Sequence, residues 1–334
     1  MVNSESEFRN VINIAVCLDD AYYEATFLLI NSIIETNNNE VMRFHIIFNS
    51  LRDEFIKNLS KLQTDLVSLF FHRISMEQLR DCPIRPQDHV SLVTYFRILL
   101  PVIIPDDVKK ILYVDGDILC LNKIIDLYYE DITDFSMAAS LDSQCENTTR
   151  KEHLGLDSHF YYFGAGVLLV NLEYWRTHNV HIKVLEYIQR NPEKCVWHDQ
   201  DALNAILKGT IKQLDFRYNF YETFFKIKEK SCMSDTLWQI VLRDRENICF
   251  LHYSQTEKPW FFECTHPLRR LWRAYYKKIF GKKVCLKFKY KGRKRFAYIK
   301  QKILSTIFHL KMNENYEVYE NSPALTAYFE KLHV

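Results

Sequence analysis

Short uninterrupted apolar runs alternate along the chain with stretches whose apolar residues recur at three- and four-residue intervals. VINIAVCL is a run of strand length that closes on Asp19 and Asp20, and YYEATFLLINSIIET after it has helical spacing. RFHIIFN is again strand-like, LRDEFIKNLSKLQ is an amphipathic helix, and SLFFHRI and KKILYV are two further strands. Between these two, SLVTYFRILLPVII is predicted as a helix ended by Pro101 or Pro105. FYYFGAGVLLVNLEYW reads as a long packed segment, HDQDALNAIL as a helix start, and ICFLHYSQTEKPW as a strand running into a polar loop. This alternation predicts an α/β fold, a sheet with helices on its faces. Ligands bind such sheets beyond the carboxyl ends of strands, and both LDD and VDGD fall there. There is no internal repeat and no low-complexity linker.

Composition changes this picture in one respect. The chain has 334 residues, 48% apolar and 26% charged, enough for one large domain or two small ones. Its net charge of +2 hides an asymmetry: Leu268 to Lys302 holds 15 Lys and Arg and no acid, leaving the rest at −13. The nine cysteines have no CxxC and no regular spacing, which argues for a reducing compartment and against a zinc site or a disulfide framework. The first residues, MVNSESEFRN, carry acids where a signal peptide is basic, and no apolar run approaches the ~20 residues of a spanning helix. A cytosolic protein is expected.

The chemistry concentrates in KKILYVDGDILCL. In extended chain Asp115 and Asp117 point to one face and repel unless a cation lies between them. Paired carboxylates at a strand end suit Mg²⁺ or Mn²⁺ bound with substrate phosphates, and His252 as a third ligand favours Mn²⁺. Taken alone D-x-D is a weak signal, equally the mark of a solvated turn. Asp19 and Asp20 fit a helix cap before Tyr22, Asp199 and Asp201 likewise, Arg97 any carboxylate partner, and His252 a satisfied core histidine. Gly164 and Gly166 form a GxG without the rest of a dinucleotide fingerprint, and fit close backbone approach in a packed strand.

The ordered set NIAVCLDDAYY, SLVTYFRILL, ILYVDGDILC, YYFGAGVLLVNLEYW, HDQDALNAIL, FRYNF and LHYSQTEKPW resembles the retaining glycosyltransferases of family 8, which include bacterial lipopolysaccharide galactosyl- and glucosyltransferases. The resemblance spans roughly residues 10 to 275, and the order is far more specific than any one piece. It implies a GT-A nucleotide-sugar-binding fold, a Rossmann-like mixed sheet flanked by helices, with a UDP-hexose donor and Mn²⁺, Mg²⁺ being the alternative. On that resemblance Asp115, Asp117 and His252 hold the metal. Asp19 and Tyr22 meet the uracil, Arg97 lies near Asp115 and the donor sugar, and Lys258 pairs with a phosphate. Asp199 faces the sugar hydroxyls, Gln200 faces the anomeric carbon, Asp142 joins the catalytic set, and Gly164, Ala165 and Gln255 join the donor site. The chain departs from the family pattern at Gly164, where Asn is usual, at Gln255, where Gly is usual, and at Ala21, where some relatives have a polar residue.

Gln200 is a poor nucleophile, so the expected mechanism is front-face attack with retention. The sequence divides into a catalytic domain, 1–265, and a basic, aromatic-rich helical region, 266–334. Residues 268–302 interleave cations with Trp272, Tyr275, Tyr276, Phe280, Phe288 and Tyr290, as expected for an anionic membrane surface. The expectation is a peripheral enzyme on the cytoplasmic face that modifies an oligosaccharide or lipid-linked glycan. Two rivals remain: a nucleic-acid-binding protein that uses the basic tail, and a non-catalytic member of the fold acting as partner or scaffold.

Overall fold

Among the described residues ten strands build two sheets, and each strand is placed by which of its faces is buried. The computed structural model describes residues 11–80, 82–83, 92–225, 233–307, 327–330 and 332; the stretch before residue 11, Ser91, Cys232 and most of the region beyond residue 307 lie outside them. The strands are β1 Ile12–Cys17, β2 Met42–Phe48, β3 Val67–Arg73, β4 Lys110–Val114, β5 Ile118–Cys120, β6 Met137–Leu141, β7 Phe163–Asn171, β8 Ile211–Leu214, β9 Phe220–Tyr221 and β10 Phe250–His252. The larger sheet has the order β3-β2-β1-β4-β7-β6-β8, and the smaller one β5-β10-β9. β1 runs parallel to β2 and β4, whereas β7 is antiparallel to both β4 and β6, so the sheet is mixed.

Alternation assigns each side chain a face. Ile12, Ile14 and Val16 of β1 join Leu112 and Val114 of β4 and Val167 and Leu169 of β7 in one apolar cluster. Ala15, Cys17, Ile111, Tyr113, Leu168 and Val170, the residues between them, join a second cluster on the other side. A strand covered on both faces needs a continuous apolar run, which is why Ile111–Val114 of β4 and Val167–Val170 of β7 at the sheet centre are unbroken, whereas β3 at the edge alternates. Each Val, Leu or Ile side chain so buried contributes about 1.5–3 kcal/mol.

The expected helix over SLVTYFRILLPVII takes another form. Leu92–Leu99 is a 3₁₀ helix, followed by one short α-helix, Leu100–Ile103, that stops before Pro105. Three residues per turn put Thr94 and Arg97 on one side. Arg97 uses this: its Nε donates to the Thr94 carbonyl at 2.9 Å and a terminal nitrogen to Thr94 Oγ1 at 2.9 Å.

The basic region begins as part of the packed body. Helix Arg269–Phe280 buries Leu271, Trp272, Tyr275 and Tyr276 in a third apolar cluster, so these three aromatic rings face the interior. Tyr276 Oη donates to Glu24 Oε1 of helix Tyr23–Thr36 at 2.9 Å, and Lys278 meets Glu35 at 2.8 Å. The next helix, Gly292–Ile307, exposes Phe296 (72%) and Ile303 (54%) among its Lys and Arg residues. Among the described residues no helix is long and apolar enough to cross a membrane, and no disulfide joins the described cysteines.

Candidate active site

β4 ends at Val114 and β5 starts at Ile118, so Asp115-Gly116-Asp117 is a turn rather than extended chain. Both carboxylates still reach one place, because the turn is held from two sides. The Asp115 amide donates to the Gly166 carbonyl of β7 at 2.8 Å, and the Tyr253 amide donates to the Asp117 carbonyl at 3.1 Å. β10 pairs with β5 in a register that sets His252 opposite Ile118. The imidazole Nε2 thereby lies 3.2 Å from Asp117 Oδ1 and 4.0 Å from Asp115 Oδ2.

The like-charge problem posed by D-x-D is solved by two cations, one per carboxylate. A terminal nitrogen of Arg97 lies 3.1 Å from Asp115 Oδ1, which also accepts from Tyr113 Oη at 2.6 Å. Lys258 Nζ donates to Asp117 Oδ2 at 2.6 Å and to the Tyr253 carbonyl at 2.8 Å. Burial alone would raise the Asp117 carboxyl, but Lys258 and His252 outweigh it and hold it well below the usual carboxylate range. Burial likewise works against the Lys258 ammonium, and Asp117 overcomes it, keeping the ammonium charged.

These pairings consume one oxygen of each carboxylate and leave Asp115 Oδ2 and Asp117 Oδ1 facing His252 Nε2. Ligand atoms of the three residues all lie within 4.8 Å of one another. His252 Nδ1 faces Asn219 Oδ1 at 2.9 Å, and Asn219 Nδ2 donates to Tyr221 Oη at 2.8 Å, so Nδ1 is the nitrogen that donates to the amide oxygen and Nε2 is the one turned to the carboxylates, where a metal would be bound. Two carboxylate oxygens and an imidazole nitrogen converging in this way fit a divalent cation of Mn²⁺ or Mg²⁺ type. Gly166 is what lets the ring approach: a Cβ there would sit 2.4 Å from His252 Cε1 and 2.6 Å from Nδ1.

A cavity of ≈ 1160 Å³ opens over this trio, and every site residue named from the sequence lines it except Asp19 and Gly164. Asp19 borders an adjoining cavity of ≈ 100 Å³ together with Tyr22, Arg97 and both carboxylates of the D-x-D. Its Oδ1 accepts from the Ala21 and Tyr22 amides at 3.0 Å each, the turn expected of an Asp before a helix. Tyr22 lines both cavities, edge-on to Trp260 at 5.7 Å; burial, opposed by Lys258, pushes its hydroxyl up to about 12.

Helix Asp199–Leu207 brings Asp199 and Gln200 to the same cavity. Arg97 Nε lies 2.9 Å from Asp199 Oδ2, yet its N–H points to the Thr94 carbonyl, so Asp199 receives charge from Arg97 without that hydrogen bond. Burial prevails and pushes Asp199 up to about 6, against the opposing pull of Arg97. Gln200 is held at both ends of its amide: Oε1 accepts from the Ala165 amide at 2.9 Å, and Nε2 donates to Asp142 Oδ2 at 3.2 Å and to Tyr162 Oη at 3.1 Å. Burial raises the Asp142 carboxyl above its ordinary value. The loop carrying Gln255 and Lys258 is strapped by the C-terminal region, where Tyr290 Oη donates to Glu257 Oε1 at 2.7 Å and Phe261 bridges Lys287.

Sequence reasoning did not assign roles to Tyr113, Thr94, Asn219, Tyr221 or Tyr162. Asn219 lies in FRYNF, but nothing in that stretch ties it to a histidine 33 residues on.

A profile of the family described as Glycosyl transferase family 8 matches residues 13–264. The chain belongs to glycosyl transferase family 8. Among similar proteins, General stress protein A of Bacillus subtilis (strain 168) is 27% identical over 264 residues, 78% of this chain and 91% of that one. A lipopolysaccharide 1,2-glucosyltransferase of Escherichia coli is 26% identical over 311 residues, 90% of this chain and 89% of that one. The crystal structure of the galactosyltransferase LgtC in complex with donor and acceptor sugar analogs matches with a TM-score of 0.72 and 25% identity, over 86% of this chain and 99% of that one. The mixed sheet flanked by helices is the GT-A arrangement, and this family 8 chain is a glycosyltransferase with a candidate metal cluster at the heart of its cavity.

Proposed function

We propose that the protein is a retaining transferase that moves an α-linked hexose, glucose or galactose, from a UDP-sugar to a cell-surface glycan such as lipopolysaccharide or capsule. The observation that carries this reading is the convergence of Asp115, Asp117, His252 and Lys258 in one cavity that Asp199 and Gln200 also line, with Arg97 bridging Asp115 and Asp199. Asp115, Asp117 and His252 would hold Mn²⁺, with Mg²⁺ as the alternative. When bound, the ion supplies Lewis-acid stabilisation to a departing diphosphate.

The residues of the chain then have defined work. Lys258 sits on Asp117 and brings a second positive charge to the same place, where an ammonium suits a phosphate oxygen. Tyr22 offers a ring face to the base, with Asp19 beside it. Arg97 holds Asp115 and Asp199 in register, so that Asp199 meets the sugar hydroxyls. Ala165 and Gln255 border the donor. Gln200, fixed through Ala165, Asp142 and Tyr162, faces the anomeric carbon with an amide that does not form a covalent sugar ester. The acceptor hydroxyl therefore attacks from the side on which UDP leaves. Its oxygen bonds to the anomeric carbon as the bond to the phosphate oxygen breaks, and its proton passes to that departing oxygen.

On this reading the catalytic part is 1–265 and the basic region 266–334; of the cations of 268–302, those of helix Gly292–Ile307, with its exposed Phe296 and Ile303, rest on an anionic leaflet, while Lys278 stays paired with Glu35. That placement gives a peripheral enzyme on the cytoplasmic face of the membrane. Each basic residue near such a surface contributes about 1 kcal/mol. Co-sedimentation with anionic vesicles tests this; absence of binding at moderate salt rejects it, and salt-sensitive RNA binding in its place would favour the nucleic-acid reading.

The central experiment is UDP release from a panel of UDP-sugars, with and without Mn²⁺, by wild type and Asp117→Ala. Metal-dependent hydrolysis of a hexose donor, lost in the variant, is expected. No turnover and no thermal shift with UDP and Mn²⁺ would refute the reading, and a trapped covalent glycosyl-enzyme would refute the front-face mechanism.

A further inference from the structure

Gly164 departs from the family pattern, and the structure shows what takes the room its side chain would need. A Cβ at 164 would lie 1.7 Å from Tyr221 Oη, 2.8 Å from its Cζ and 3.2 Å from Asn219 Nδ2. No side chain fits at 164 while Tyr221 keeps its place. The phenol is buried, at 6% exposure, yet Tyr221 lines the main cavity. Its ring packs beside His252, with centroids 5.2 Å apart.

The hydrogen bonding of Tyr221 is half complete. A phenol has one proton to donate and accepts through oxygen. The oxygen accepts from Asn219 Nδ2 at 2.8 Å, whereas the proton meets no acceptor among the described residues. Tyr221 lines the same cavity as Asp115 of the metal trio and as Asp142, which holds Gln200. Thr223 Oγ1, two residues along and also on a cavity-lining residue, is buried and has no hydrogen-bond partner among the described residues. This wall presents hydroxyl groups whose bonding a ligand would complete, and a buried donor left without an acceptor is costly.

We propose that the Tyr221 hydroxyl donates a hydrogen bond to a hydroxyl of the transferred hexose and thereby sets which hexose is accepted, with Gly164 required to seat it. The inference rests on the UDP-hexose reading above and adds the residue that discriminates. Glucose and galactose differ in the direction of one hydroxyl. A site built to bond a sugar hydroxyl rejects the isomer that lacks an acceptor at that point more strongly than an apolar pocket does. The phenol is pre-organised for this by the chain Tyr221, Asn219, His252, so the sugar-reading group and the metal ligand share one support.

The test compares wild type, Tyr221→Phe and Gly164→Ala, using rates of UDP release from UDP-glucose and UDP-galactose with Mn²⁺. Melting temperature and UDP binding in Mn²⁺ are measured alongside. Tyr221→Phe should keep UDP binding within about threefold, while kcat/KM for the preferred hexose falls about tenfold and the preference between the two sugars narrows. Gly164→Ala, which leaves the phenol intact but displaces it, should narrow the preference in the same way. If wild type turns over a hexose donor and Tyr221→Phe leaves the sugar preference unchanged, the hydroxyl is a packing group and the proposal falls while the enzyme reading stands. An equal loss for both sugars in step with UDP binding and melting temperature, or a change confined to acceptor transfer, also overturns it. If wild type neither binds UDP nor releases it from any sugar, the underlying reading fails and takes this one with it.

Discussion

Arg97 is the residue whose removal tests the electrostatic design of the site most directly. It is 5% exposed and lies 3.1 Å from Asp115 Oδ1 and 2.9 Å from Asp199 Oδ2, with Asp199 itself 2% exposed. Arg97→Met keeps an apolar stem but leaves Asp115 and Asp199 without that counter-charge. Removing one partner of a buried ion pair costs about 3–5 kcal/mol, mostly from the charge left behind. At ~2–3 °C per kcal/mol for a chain of this size, the variant should melt about 6–15 °C below wild type. Adding Asp199→Asn removes one orphaned charge and should recover at least about 1 kcal/mol, a coupling that separates electrostatics from packing. The pH dependence gives an independent sign. Asp199 already sits at about 6 in the fold against 3.8 ordinarily, and losing Arg97 moves it further up, so the folded state binds its proton more tightly than the unfolded chain. The deficit of Arg97→Met should therefore shrink as pH falls from 8 towards 5.5. Scanning fluorimetry and guanidinium titrations of wild type, Arg97→Met, Asp199→Asn and the double variant measure all of this. A variant melting within about 2 °C of wild type, or one that Asp199→Asn does not help, would refute the assignment of Arg97 as the counter-charge.

Three further expectations follow from the same geometry. Gly166→Ala drives the His252 ring off its place and should weaken Mn²⁺ binding by at least about tenfold in calorimetry, with the fold retained by circular dichroism. Asn219→Ala removes the acceptor that orients His252 and should cost roughly 10–100-fold in Mn²⁺ affinity; unchanged affinity would mean that Nδ1 orientation is irrelevant. With Asp199 at about 6, its charged form is lost as pH falls through that value, so the acid limb of donor turnover should lie near pH 6 and flatten in Asp199→Asn.

Much of the fold was legible because burial on both faces of a sheet leaves a local trace. Predominantly apolar runs such as INIAVC and KILYV became β1 and β4, and the acid at each strand end marked the edge where ligands bind. The 3₁₀ helix at Leu92–Leu99 was not legible, since apolar spacing alone does not separate it from an α-helix; the inward ion pairs of Arg97 suit it there. The candidate site was legible as residue types in an order. D-x-D, HDQD and KPW each carry recognisable chemistry in a few adjacent residues, and their sequence along the chain named the family. Which atoms meet was decided elsewhere. Lys258 closes on Asp117 across 141 positions, and Ala165 reaches Gln200 across 35. Tyr221 fills the room above Gly164 only because β9 and β10 pair in one particular register beside β7. Hydrophobic period and turn chemistry are properties of neighbours, so the sequence alone determined the elements and the reacting groups. Partner choice, tautomer and the shape of the sugar pocket depend on contacts between distant segments, and only the packed tertiary structure decided those.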